Sequence, residues 1–186
     1  MVGVALFVAT VVTLHFVQPG YEPSQQLMSE LALGPFGWAM IIAFTGLALA
    51  VFGVQVAIAN FGASRWLRLL LTVAAVFFLA AGMFPLGATS AIHIAAIAIA
   101  FVLSVLAMYF FPSSAGHAVA IAPRSISWSL AAGVATSVAL GHSVLPMGVG
   151  QRLAALCLIV WLVVLGLGLG RNAAQQPDAA DANARG

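Results

Sequence analysis

Three of the four histidines, His15, His93 and His142, stand near the ends of apolar runs, and Glu30 lies in the polar stretch that follows His15. Three imidazoles and one carboxylate suit zinc or another divalent metal. His15, His93 and His142 as ligands, Glu30 as ligand or base, and Tyr21 and Ser29 nearby would outline a metal-dependent intramembrane hydrolase. It would turn a metal-bound water against a lipid-like ester or amide. Pairs such as His15 with His93, or His93 with His142, could instead hold haem iron from both sides. No compact motif of the His-Glu-x-x-His kind accompanies these residues, so the ligands would have to meet through tertiary packing. The plainer reading is of histidines hydrogen-bonded to loop carbonyls or lipid head groups, and it outweighs both. His117 stands apart, in the loop that carries Arg124.

Positioning those residues falls to hydrophobic helices. The 186-residue chain is 63% hydrophobic and 5% charged, with a mean hydropathy of +1.15. Soluble domains carry roughly 25% charged residues, so a water-exposed globule is excluded. Six apolar runs cover about 2–17, 36–59, 66–84, 91–111, 127–145 and 152–170. A span needs roughly 20 such residues, so the expected fold is all-α, a polytopic six-transmembrane-helix bundle. The first run is short for a span; it is either stretched by mismatch or begins upstream of Met1. It lacks the basic start and small-residue cleavage site of a signal peptide, so it reads as a retained helix.

Gln18-Pro-Gly, Asn60-Phe-Gly, Pro85-Leu-Gly, Pro112-Ser-Ser and Pro146-Met-Gly punctuate the runs. With six spans, His15, His93, His142, Tyr21, Ser29, Glu22 and Glu30 share one membrane face. All six basic residues are arginine. Arg65, Arg68, Arg124, Arg171 and Arg185 fall on one side and Arg152 on the other, which predicts both termini in the cytoplasm of a cell whose inner (plasma) membrane holds the protein. A single six-helix domain would fill 1–170, and 171–186 reads as a disordered cytoplasmic tail. The small, scattered charge gives no reason to expect nucleic acid as a partner, and the single Cys157 reads as a packing residue.

In the first external loop, residues 24–33 read as a short amphipathic helix. Ser24 would be its N-cap and Gly34-Pro35 its stop. Leu27, Met28 and Leu31 would face lipid or bundle, with Gln26, Ser29 and Glu30 opposite. Trp38 then fits an interfacial anchor, with Trp128 at the other interface. In the fifth run Ser129, Gly133, Ser137 and Gly141 form a small-xxx-small stripe that lets helix backbones approach closely. Gln55 is the one amide within a run, and no mid-span acid supplies the relay of a secondary transporter.

The stretches His15-Phe-Val-Gln-Pro-Gly-Tyr-Glu-Pro23, Leu27-Met-Ser-Glu-Leu31 with Gly37, Gly82-Met-Phe-Pro85 and Ser90-Ala-Ile-His93 resemble the bacterial and archaeal integral membrane proteins called domain of unknown function 998. The resemblance runs through the first five helices. It implies a six-helix membrane protein and assigns no activity, cofactor or catalytic residue. The short 85–90 loop departs from the family pattern and leaves little room for extra ligands near His93.

The leading functional reading is therefore non-enzymatic. A polar pocket of His15, Tyr21, Ser29, Glu30, His93 and His142 at the outer face would bind a lipid or a partner subunit. The small-residue stripe would pack against a neighbouring helix, in a membrane-protein partner or a second copy. The metal-dependent hydrolase and the haem protein are the alternatives, and the cofactor stays unknown.

Overall fold

The computed structural model describes residues 1–141 and 143–183, with side chains through 172. Six α-helices follow one another: α1 (Val2–Val17), α2 (Met40–Ala59), α3 (Arg65–Met83), α4 (Ser90–Ser114), α5 (Arg124–Leu140) and α6 (Met147–Asn183). Three short 3₁₀ turns, Met28–Leu33, Gly37–Ala39 and Gly116–Ala120, lie in the connections. No strand occurs among the described residues.

Among the described residues four helical stretches are long and apolar enough to cross a membrane: Gly37–Ala59, Arg65–Met83, Ser90–Ser114 and Met147–Asn172. Helix α1 is apolar but has 16 residues, and α5 has 17. Large apolar side chains on the outside, among them Val76, Ile94, Val102 and Leu156, are more than half exposed. A surface of that kind is stable against lipid rather than water. The chain is an all-helical membrane protein.

The core forms where α2 packs along α1 and α3, α4 along α3, and α5 along α6 and α4. Leu71, Phe78, Phe111, Trp161 and Leu165 are fully enclosed there. Small residues set the closest approaches. A Cβ on Gly82 of α3 would come within 2.7 Å of the Phe44 Cβ of α2. One on Gly133 of α5 would come within 2.7 Å of the Cys157 Sγ of α6. The stripe on α5 is thus spent inside the molecule: Gly133 meets Cys157, Ser137 and Gly141 meet Gly150, and Ser129 alone is exposed.

The connections alternate between two ends. At one end the α2–α3 and α4–α5 loops are tied by Ser64 N–H to the Ser114 carbonyl (2.7 Å) and His117 N–H to the Phe61 carbonyl (2.8 Å). Gly116 makes this junction possible, since its φ is +59° and a Cβ would collide with the Phe61 carbonyl. At the other end the first loop lies against the start of α6.

Several boundaries differ from the sequence reading. The expected amphipathic helix over 24–33 is replaced by turns followed by the Met28–Leu33 3₁₀ segment, whose cap is Leu27 rather than Ser24. Ser29, assigned to the polar face, is buried beside Leu31. Burial on more than one side removes the one-faced pattern a surface helix needs. Helix α4 runs two residues past Pro112 to Ser114, and the left-handed Gly116 opens the next turn. Helix α6 begins at Met147, and the helix continues beyond Gly170 to Asn183. The remainder of the predicted tail, 184–186, lies outside the described residues, as does His142.

Candidate functional site

Arg152 of α6 organises the end that holds the first loop. Its guanidinium donates through Nη1 to the carbonyls of Gln26 (2.9 Å) and Gly148 (2.8 Å). Its Nη2 donates to His15 Nε2 (2.9 Å) and to the Tyr21 hydroxyl, and its Nε points at the same His15 nitrogen (3.3 Å). Five N–H groups in a rigid fork are all that an arginine has, and all five are directed at protein acceptors.

His15 can accept because its other nitrogen is engaged. The turn of α1 places Nδ1 2.6 Å from the Val11 carbonyl, four residues back. Nδ1 therefore donates, and Nε2 is left with its lone pair toward Arg152. The Tyr21 hydroxyl accepts from Arg152 and donates to the Leu27 carbonyl at 2.9 Å. Its ring meets His15 edge-on at 5.2 Å and lies beneath the guanidinium at 5.6 Å. Burial raises the Tyr21 pKa above the ordinary 10.0, and the nearby Glu30 charge adds to this; Arg152 opposes both through its charge and its hydrogen bond.

Two glutamines extend the clasp. Gln151 Oε1 accepts from Met28 N–H at 2.5 Å, tying the 3₁₀ turn to α6. Buried Gln18 donates to the Leu31 carbonyl at 2.6 Å and accepts from Phe36 N–H at 3.3 Å, so one side chain ties the start of the loop to both sides of the turn at Gly34. Gly34 leaves room for it, since a Cβ there would overlap the Gln18 amide. Glu30 turns inward on its own segment, its carboxylate accepting from Leu27 N–H at 3.3 Å.

Beneath the loop is a cavity of about 20 Å³. Phe7, Met40, Phe44 and Phe101 form its apolar wall, and Ser29 and Gln151 are its polar members. That is room for one water, which needs roughly 10–15 Å³.

The predicted site residues are thus distributed unevenly. His15 and Tyr21 touch directly, Glu30 braces the loop beside them, and Ser29 lies over the cavity. His93 does a different job. Its ring is buried in α4, with Nδ1 donating to the carbonyls of Ala81 (2.8 Å) and Phe84 (3.1 Å) at the end of α3. The ring meets Phe44 edge-on at 5.6 Å, and its Nε2 is buried without a partner. Carbonyls at a helix end lack partners within the helix, and His93 supplies one across the α3–α4 turn. Among the described residues no three His, Cys, Asp or Glu side chains group as a metal site would require. His142, the remaining member of the proposed ligand set, lies outside those residues.

Arg152, Gln18 and Gln151 are the residues that sequence reasoning missed. Arg152 did carry a signal, as the one arginine that the alternation of apolar runs sets apart from the other five in the sequence. An isolated charge next to a membrane needs partners, and the adjacent polar loop held them.

A family model described as protein of unknown function (DUF998) matches residues 1–168. The chain belongs to this family. No curated protein and no solved structure matches it. The stretches that resembled the family now have physical roles in this chain. His15, Gln18 and Tyr21 build the clasp, Glu30 and Leu31 shape the 3₁₀ turn, Gly82 admits Phe44, and His93 caps α3.

Proposed function

We propose that this membrane protein is non-enzymatic and binds a lipid amphiphile at its outer face, beneath the first loop. The carrying observation is the pairing of a hydrogen-bonded cover with an apolar cleft below it. Arg152 holds the cover through its bonds to the Gln26 carbonyl, Tyr21 and His15, and Phe7, Met40, Phe44 and Phe101 offer a lining suited to a hydrocarbon tail. Ser29 and Gln151 stand where a polar head would emerge. At about 20 Å³ the cavity is closed to anything beyond water, so binding requires the clasp to open.

The same arrangement disfavours a metal hydrolase or haem protein. The free lone pair of His15 is directed at the Arg152 cation, and among the described residues no three His, Cys, Asp or Glu side chains group closely enough to share a metal. Docking of a partner subunit through the α5 stripe is likewise disfavoured, because Gly133, Ser137 and Gly141 already pack on α6. Six membrane crossings, an inner-membrane location and cytoplasmic termini are the topology we propose. The arginine asymmetry supports it, with Arg152 folded into the outer-face clasp.

Purified protein tests this reading. Elemental analysis after mild extraction should find no stoichiometric zinc, iron or copper. A photoactivatable fatty acid should label segments containing Met28 or Phe44, and more strongly in Arg152→Lys, whose clasp is weakened. Stoichiometric metal, or no labelling of those segments in either protein, refutes it.

A further inference from the structure

Arg152 has its hydrogen bonds satisfied but not its charge. Its acceptors are the Gln26 and Gly148 carbonyls, the Tyr21 hydroxyl and the His15 ring, and none of them is a carboxylate. The two acids of the first loop are placed otherwise. Glu30 accepts from Leu27 N–H at 3.3 Å, and Glu22 is exposed. Hydrogen bonds between two ionised groups are shorter and stronger than those to neutral oxygens, and a half-buried cation at a membrane boundary calls for such a partner.

The acceptors fall into two groups. Gly148 belongs to α6 and His15 to α1, so both would stay with the bundle if the first loop lifted. Gln26 and Tyr21 belong to the loop and occupy the two terminal nitrogens separately. Nη1 donates to the Gln26 carbonyl at 2.9 Å, and Nη2 donates to the Tyr21 hydroxyl. One oxygen on each terminal nitrogen is also how a guanidinium fork receives the two oxygens of a carboxylate or phosphate. The loop therefore fills an oxyanion position with neutral groups. The small apolar cavity shares this stretch of α6, since Gln151, just before Arg152, and Ala155, one turn further on, both line it.

We propose that the amphiphile bound beneath the first loop carries an oxyanion head, which replaces the Gln26 carbonyl and the Tyr21 hydroxyl on Arg152. Its hydrocarbon tail enters the cleft lined by Phe7, Phe44 and Phe101, while Gly148 and His15 keep the guanidinium in place. The proposal rests on the reading of that cleft as a lipid site and adds what selects the lipid. A neutral head offers Arg152 no more than the loop already supplies, so it competes poorly for the fork. Glu30 lies on the same loop, near enough for its charge to act on Tyr21, and it opposes an incoming anion until the loop moves.

The probes are three photoactivatable C16 amphiphiles with the same chain: hexadecanoic acid, hexadecyl phosphate and hexadecanol. Each is crosslinked to protein in neutral detergent micelles at pH 8, and labelling of peptides containing Met28 or Phe44 is counted by mass spectrometry. In wild type at least one anion should label about fivefold more than the alcohol, the margin between a charged and a neutral partner of one arginine. The larger of the two anion signals identifies the head as carboxylate or phosphate. Arg152→Met, eluting as folded protein, should lose this preference while its alcohol labelling rises with the released loop. Tyr21→Phe removes one competing oxygen and should raise anion labelling with the preference retained. Glu30→Gln should act in the same direction.

Equal labelling by all three probes in wild type overturns the oxyanion assignment and leaves lipid uptake standing. A preference that survives in Arg152→Met overturns it as well, because selection would then lie elsewhere. Absence of labelling at Met28 and Phe44 by every probe, in wild type and variants alike, removes the lipid site itself and this inference with it.

Discussion

Replacing Arg152 with Met keeps much of the apolar stem and removes the fork that joins the first loop to α6. The Gly148 carbonyl loses least, because it sits in the first turn of α6 and retains helical partners. Gln26 still receives a long contact from the Tyr21 hydroxyl at 3.4 Å. The main loss falls on His15 Nε2 and the Tyr21 oxygen, each deprived of a charge-assisted donor. Hydrogen bonds to charged groups are worth about 1.5–3 kcal/mol each. The cluster is half-buried, so water recovers part of this, and the net cost should be about 2–3 kcal/mol. At 1.36 kcal/mol per decade, that shifts the docked loop toward the open form by about 30- to 150-fold. Hydrogen exchange read by mass spectrometry in detergent micelles should show that loss of protection in peptides spanning residues 25–31, with α2 and α3 unchanged. Arg152→Lys should fall between, since an ammonium cannot reproduce the planar fork. Unchanged loop protection in Arg152→Met, or equal loss across α2 and α3, would show that the guanidinium is not what docks this loop.

Gln18→Leu should destabilise the protein by about 2–4 kcal/mol, because it strands the buried Leu31 carbonyl and Phe36 N–H; denaturant titration in micelles reads this directly. Ser127 accepts from the enclosed Trp161 indole at 3.2 Å and donates to the Ala122 carbonyl at 3.1 Å. Ser127→Ala should therefore cost about 1–3 kcal/mol and alter the tryptophan emission. Gly150→Ala drives a Cβ within 2.7 Å of the Gly141 Cα and should lower the thermal midpoint, at a cost of about 1–3 kcal/mol; an unchanged midpoint would mean that α5 and α6 can separate freely. The Tyr21 pKa is raised in the folded state, so its contribution is complete below the unfolded value of 10.0 and is lost as pH rises through the higher folded value. Loop docking should weaken in that alkaline window, and Tyr21→Phe should remove the dependence while leaving its own, pH-independent loss of the Arg152 contact.

The hydrophobic runs were legible because lipid imposes a simple rule: every stretch crossing it must be apolar and helical. Residues 40–59, 65–83 and 90–111 were foreseen as helix nearly to their ends for that reason. The first loop was legible as a place, since Tyr21, Glu22 and Glu30 are conspicuous in so apolar a chain. Its internal form was not. A 3₁₀ turn with Ser29 inside and Glu30 folded back on Leu27 depends on what lies beneath it. His15 and His93 illustrate the limit. Their sequence positions invited a shared metal, yet one ring faces Arg152 and the other closes the end of α3.

Sequence by itself determined that this chain is a helical membrane protein of its family, and which loop concentrates its polar chemistry. Composition and the cost of unpaired backbone in lipid suffice for that. Only the tertiary structure decided what those polar groups do. Arg152 lies 137 positions from His15 and 131 from Tyr21, and no local periodicity links them. They meet because α1 and α6 share one end of the bundle, where the half-buried guanidinium directs every N–H at a protein acceptor.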